Sequence, residues 1–467
     1  MDIGDSKIMY KLKNKISFLV LILLSIASFV LINLIFSVLE EKKPVKLDLT
    51  AAGTFSISDE TKQVLNRVNQ DIDVYYFVTS GKEIVYVKQT VDMYKGYNNK
   101  IHFKQIDPSH EPVLTSNIGT EVTDNSVVVK CGEKVKSIPL ETMYDSTYEE
   151  YGISEFKLEQ KLTLAIDYVL RKEENVILFT KGHEEAGYTL MKADFEDENA
   201  IVQEVDLVNE EIPQDTSAVY IISPRRDFSA EEIGKLQKYL ESGGSLNISI
   251  DYDVTDTVVL RRFLSEYWGI NYENDIIFEG DKLRYAANNP YVIIPQYGEH
   301  DIVSPIEKAK VNILWPNTRS ITILEKDGVE IKPLLLSSKN AAVKPSTNAQ
   351  DTTVTSKDKI EQVNVAVVAE YINPTLKKPT RIIATGSSFY LLYKDEPSIA
   401  NSDFIRNCLN YLRNEDVSVS ITPKNIYVKY MSISQKQIAR YTFFYGILPP
   451  ILVLAAGFYV WLKRRHK

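Results

Sequence analysis

Two uncharged apolar runs, one near each end of the chain, constrain the fold more than any other feature. Ile16–Leu39 has 24 residues without a charge, mostly Leu, Ile, Val and Phe. As a helix it is about 36 Å long, enough for a hydrocarbon layer of roughly 30 Å with some tilt. Tyr441–Leu462 is the second run, of 22 residues. Pro449 and Pro450 are expected to kink it, and Tyr441, Tyr445, Tyr459 and Trp461 stand near its ends as interfacial aromatic residues do. The flanks set the orientation. Lys7, Lys11, Lys13 and Lys15 precede the first run, and Lys463, Arg464, Arg465 and Lys467 follow the second. Positive outer flanks predict cytoplasmic tails at 1–15 and 463–467, with residues 40–440 on the other side of the membrane. A cleavable signal peptide is the competing reading of the first run. Its apolar stretch is longer than a 7–15-residue signal core, and no A-x-A-like site follows it.

The net charge of −9 separates along the same boundaries, as +6 on the two tails and −15 between them. An acidic body argues against a nucleic-acid partner, because phosphate neutralisation needs basic surface. Two cysteines, Cys131 and Cys408, exclude a disulfide scaffold and a Cys-rich zinc module.

Between the runs the pattern is α/β. Ile72–Val78 reads as a strand, 83–97 as a helix with Ile84, Val87, Val91 and Tyr94 on one face, and Ile101–Ile106 as a second strand. A hairpin at 126–140 and a helix at 156–170 complete a first domain, 45–172. Its order resembles a thioredoxin-like fold without the redox C-x-x-C, and Cys131 reads as a small buried apolar residue. The second domain, 173–425, alternates strands (175–180, 218–223, 245–250, 381–385) with helices. Ser229 and Glu232 form a capping-box pattern, and Thr255 or Asp256 is expected to cap the following helix. This alternation predicts a doubly wound parallel sheet resembling amidotransferase-like α/β folds. Residues 339–360 are Ser/Thr-rich and read as a mobile polar insertion.

Candidate chemistry gathers at the strand ends. His183, Glu184 and Glu185 follow one predicted parallel strand, Asp251 and Asp253 another, and Ser387 a third; α/β sheets place ligands at such ends. Two carboxylates suit a cation or sugar hydroxyls, but acidic residues are also ordinary turn formers, and His183-Glu184-Glu185 also reads as a turn capping the next helix. The H-E-x-x-H of a zinc protease is absent, no metal or other cofactor is indicated, and Gly386-Ser387-Ser388 lacks the last glycine of a nucleophile elbow, Tyr390 standing there. Arg225 and Arg226 read by default as a solvated pair and are candidates for an anion or the membrane surface. Tyr144, Tyr148 and Tyr151, among acidic neighbours, are candidates for a recognition surface.

A family resemblance rests on several weak motifs in order: Leu47-Asp48-Leu49-Thr50 with Phe55-Ser56-Ile57-Ser58, then Ile106-Asp107-Pro108, Phe156 to Ile166, Gly182 to Glu185, Tyr239 to Gly244, and Ala384 to Ser388. In this the chain resembles the GldG-type auxiliary proteins of bacterial ABC transport systems, the gliding-motility-associated/intraflagellar-transport-like group. The resemblance implies an extracytoplasmic auxiliary subunit that works with an ABC permease and an ATPase; the apolar runs add membrane lipid as a partner, and with no complete catalytic motif the subunit reads as non-enzymatic. No G-x-x-x-x-G-K-[ST] is present, so ATP hydrolysis would belong to a partner. A membrane-anchored hydrolase or amidase using the 183/251/253 crevice, and a structural cell-envelope protein, are the alternatives.

Overall fold

The computed structural model describes residues 56–145, 155–171, 174–350, 358–413 (without 374, 377 and 397), 424–425 and 440–465, with 353, 355 and scattered positions between 20 and 34. It separates into a unit of Met1–Ser56 and a unit of Ile57–Lys467. In the first unit, residues 20, 24, 26–31 and 34 are helical and exposed. The rest of the 16–39 run, the tail at 1–15 and the Leu47–Phe55 motif lie outside the described residues, as do Tyr148 and Tyr151.

The second unit opens with α1 (Asp59–Arg67), β1 (Ile72–Phe77), α2 (Val85–Tyr97), β2 (Ile101–Ile106), β3 (Ser126–Cys131), β4 (Lys134–Ile138) and α3 (Leu158–Leu170). The strands form one sheet in the order β2-β1-β3-β4, with β1 parallel to β2 and the other two pairings antiparallel. Alternation in β1 decides its faces: Ile72, Val74 and Tyr76 join Val87 and Val91 of α2 and Leu162 and Ile166 of α3 in one core. Ser58 caps α1 by accepting from Thr61 N. Glu159 on α3 accepts from Ser58 N at 2.6 Å and Thr61 Oγ1 at 2.8 Å, pinning the start of α1 to α3. Cys131 is half-buried with Sγ 3.5 Å from Asp71 O, and both cysteines are free thiols.

There follow β5 (Asn175–Thr180), α4 (Tyr188–Asp197), β6 (Ala200–Val205), β7 (Thr216–Ile222), α5 (Ala230–Glu241), β8 (Ser245–Ser249), α6 (Val258–Trp268), β9 (Ile270–Tyr272) and β10 (Asp275–Phe278). The chain then runs through β11 (Ile321–Ile323), β12 (Val329–Leu336), β13 (Ala342–Pro345), β14 (Asn364–Tyr371), β15 (Thr380–Thr385) and α7 (Asn401–Leu412). The main sheet has the order β9-β11-β14-β15-β8-β7-β5-β6, with β12 beside β14. Phe195 of α4 and Phe404 and Leu409 of α7 cover one face. Leu236 and Leu240 of α5 and Leu260 and Leu264 of α6 cover the other. Strands such as AVYII are buried on both sides and so lack alternation.

Several expectations change here. β6, β5, β7, β8 and β15 pair in parallel, whereas β14, β12, β11 and β9 make antiparallel pairings, so the sheet is mixed. Neither Thr255 nor Asp256 caps α6. The cap comes from Asp227, whose carboxylate accepts from Val259 N at 2.6 Å and Leu260 N at 3.1 Å. Within the polar 339–360 segment β13 pairs antiparallel with β10 and with Lys359–Ile360, and buried Lys344 donates to Thr353 O. The Ser229–Glu232 capping box is complete.

Among the described residues one helix, Thr442–Lys463, is long and apolar enough to cross a membrane. Its backbone is π-helical over Thr442–Ile447 and α-helical over Leu448–Arg465. Pro449 and Pro450 therefore stand just after a register change in the backbone. Ahead of this helix, Lys424–Asn425 pairs with Glu155–Phe156, which pairs in turn with Tyr144–Asp145.

Candidate functional site

The five parallel strands place the crevice. From β5 the chain passes to β6 on one side and then returns to β7 on the other, so β5 and β7 flank the point where the winding reverses. In open α/β sheets the loops at the carboxyl ends diverge there and leave a ligand crevice. The loops concerned follow β5 (181–187), β7 (223–228), β8 (250–257) and β15 (386–388).

His183 is buried, with its ring stacked on Phe228 at 3.8 Å between centroids and 10° between planes. Its Nδ1 lies 3.3 Å from Glu185 Oε1 and its Nε2 lies 3.1 Å from Glu232 Oε1 on α5. Its carbonyl accepts from Arg225 N at 2.7 Å and Arg226 N at 3.1 Å, joining the loop after β5 to the loop after β7. Burial, the largest influence, pulls the imidazole pKa down; Glu185 and Glu232 together outweigh it and raise the value above the ordinary one. Burial likewise pushes Glu185 up, but His183, nearby backbone N–H groups and Thr180 hold it below the usual carboxylate range.

Asp251 is also buried. It accepts from Ser223 Oγ at 2.6 Å, Ser388 Oγ at 2.8 Å and Ser388 N at 2.5 Å. Burial raises its pKa, the serine bonds oppose that, and the charge of Asp253 adds to the rise. Arg225 reaches across the mouth to Asp253 at 2.7 Å and stands 4.0 Å from Asp251, and Arg226 pairs with Glu184. Ser223 and Glu184 have positive φ, 49° and 59°. The loop is thus held in a conformation that non-glycine residues adopt only under local constraint.

His183, Glu184, Asp251 and Asp253 stand at these strand ends, linked through Arg225 and Arg226. Ser387 does not. Its Oγ donates to Pro316 O at 2.6 Å and accepts from Phe389 N at 3.1 Å, so it fixes the turn, and its neighbour Ser388 faces the aspartate. The 183–185 turn does not cap α4 through a side chain; the cap residue is Gly187 with φ 89°. Sequence reasoning missed Ser223 and Ser388 and saw Glu232 only as a cap. A serine ending one parallel strand and another just past a strand-end glycine, both facing an aspartate at a third strand end, were the available signal. Among the described residues no group of three or more His, Cys, Asp or Glu side chains is placed to hold a metal ion.

The interior charges are matched within the site, and both serine hydroxyls donate to a carboxylate. What remains at the mouth is a guanidinium–carboxylate pair, Arg225 and Asp253, about 40% exposed on each side. That pair can exchange hydrogen bonds with an arriving polar ligand. His183 makes the interior sensitive to pH. A raised folded-state pKa means its ion-pair contribution is complete below the ordinary imidazole value and is lost as pH rises through the raised one. The urea midpoint of the wild type is expected to fall across that window, and that of His183→Gln to stay flat there.

Fold and crevice together describe an α/β body with a polar, internally paired strand-end site. The comparisons with known proteins narrow this. Residues 174–388 match the family described as "ABC-type uncharacterized transport system", beginning one residue before β5, and residues 51–143 match a domain of unknown function. The first match supports an auxiliary role in an ABC transport system. An uncharacterized protein of Borreliella burgdorferi is 21% identical over 477 aligned positions, covering 90% of this chain and 93% of that protein. The solved structure of the mmIFT52 N-terminal domain is similar at 18% identity over 52% of this chain and 99% of that one, with a TM-score of 0.39, too low to bear on the fold.

Proposed function

We propose that the protein is a non-enzymatic, GldG-type auxiliary subunit of a bacterial ABC transport complex. The terminal apolar runs hold it in the plasma membrane, and its α/β units lie outside the cytoplasm. The observation that carries this reading is the match of residues 174–388 to the transport-system family. The apolar helix at 442–463 supports membrane attachment. The strand order β2-β1-β3-β4, with one parallel and two antiparallel pairings, supports the thioredoxin-like reading of the 45–172 domain. The crevice, with its buried charges paired and its serines committed to Asp251, suits recognition of a polar ligand or partner better than nucleophilic chemistry.

The partners are an ABC permease and an ATPase. A tagged chromosomal copy, extracted from the native host in mild detergent, is expected to bring both with it in near-stoichiometric amounts. Recovery of this chain alone from the same membranes overturns the proposal.

A further inference from the structure

A second concavity lies in the first α/β unit, away from the crevice described above. It has a volume of about 540 Å³ and is lined by Ile84, Thr123, Asp124, Leu140, Glu141 and Tyr144. That volume falls within the few hundred to a thousand Å³ of small-molecule sites. The cavity sits where the loop after β1 leads into α2, at the carboxyl end of a parallel strand pair. We propose that it binds a small organic cation, an ammonium group carried on an apolar body.

The loop is held open by bonds to its neighbours. Tyr76 Oη donates to Asn125 Oδ1 at 2.6 Å and accepts from Ile84 N at 2.9 Å. Asp124 Oδ1 accepts from Thr79 N at 2.8 Å and from Thr79 Oγ1 at 3.1 Å. A concavity braced in this way does not have to reorganise before a ligand enters, which lowers the cost of binding. Ile84, Leu140 and the Tyr144 ring supply apolar wall, and Asp124 and Glu141 supply negative charge.

The charges choose between ligand classes. The N-terminus of α2 contributes about half a positive charge, and Lys82 stands 3.8 Å from Asp124 on an exposed, flexible stem. Lys82 offsets Asp124, but the Glu141 carboxylate still outweighs the helix end. An anion would meet both carboxylates in an apolar setting. A cation meets them together with an aromatic side chain, Tyr144, a combination suited to ammonium groups. The position of the site also matters. Tyr144 is in the strand paired with Glu155–Phe156, its ring meets that of Phe156 edge-on at 5.7 Å, and the same ribbon holds Lys424–Asn425 ahead of the apolar helix.

The test is calorimetric titration of the full chain in detergent with benzylammonium and with its uncharged analogue benzyl alcohol. The ammonium is expected to bind at least about tenfold more tightly than the alcohol. Glu141→Gln is expected to weaken ammonium binding about fivefold while leaving the unfolding temperature and alcohol binding unchanged. Glu204→Gln, on an exposed position of β6, is expected to change neither. Equal affinity for the two probes, no binding of the ammonium, or undiminished ammonium binding by Glu141→Gln overturns the proposal. This outcome is independent of whether a permease and an ATPase co-purify.

Discussion

Asp251→Ala is expected to destabilise the second α/β region by about 3 kcal/mol, whereas Asp251→Asn is expected to change it by less than about 1 kcal/mol. The difference follows from what the carboxylate does. It takes three hydrogen bonds from two loops, and alanine leaves Ser223 Oγ, Ser388 Oγ and Ser388 N without that acceptor in a buried place. Unmade hydrogen bonds of buried donors cost more than the bonds themselves contribute. Asparagine keeps the shape. Its oxygen can accept from Ser388 N, and its amide can donate to both hydroxyls, which rotate to accept. It also removes a charge that burial disfavours. Urea unfolding followed by limited proteolysis separates the two variants; equal losses would show that charge, not hydrogen bonding, is what the site needs. The pH dependence adds a sign. Because the folded-state pKa is raised, the folded protein holds this proton more tightly than the unfolded chain. Asp251 therefore adds stability as pH falls from the raised value toward the ordinary aspartate value, and Asp251→Asn removes that part of the profile.

The residues explain why some of this was legible beforehand. β5, β7, β8 and β15 are short apolar runs closed by turn residues, and Ser229 and Glu232 are three positions apart, so local reading finds them. The cap of α6 is not local, since Asp227 lies 32 residues from the Val259 N–H it accepts from. An apolar run shows that a strand is present but not which way it points, and the connection decides that. β14 and β15 are joined by 372–379, shorter than the dozen or more residues a parallel crossover needs, so the pair is antiparallel. Candidate side chains were sought at the strand ends because ligands favour that part of an α/β sheet. Which of two adjacent serines faces Asp251 depends on the twist of one turn. Pattern reading placed Ser387 at the site; the backbone turned it toward Pro316 and put Ser388 there instead.

That turn depends on Gly386, and Gly386→Ala is expected to cost about 3 kcal/mol. A Cβ at this position would lie 2.2 Å from Arg319 O and 2.7 Å from Thr318 Oγ1. Neither side can withdraw easily. Gly386 N donates to Val365 O at 2.9 Å, and Arg319 N donates to Gly386 O at 2.9 Å, so relief of the clash must break a backbone bond. This places the variant at the upper end of overpacking costs. The glycine therefore serves close approach of two backbone segments rather than exposure of a nucleophile. Gly234→Ala supplies the opposite sign within the same fold. Gly234 is exposed in the middle of α5, and a Cβ there meets nothing within 4 Å, so alanine is expected to stabilise by up to about 1 kcal/mol through helix propensity. Denaturant midpoints of the two variants should move in opposite directions. Gly386→Ala and Asp251→Ala disturb one junction, so the double variant should lose less than the sum of the two single losses. Strict additivity would mean that the turn and the aspartate are held independently, and that the 386–388 loop does not depend on Asp251 for its position.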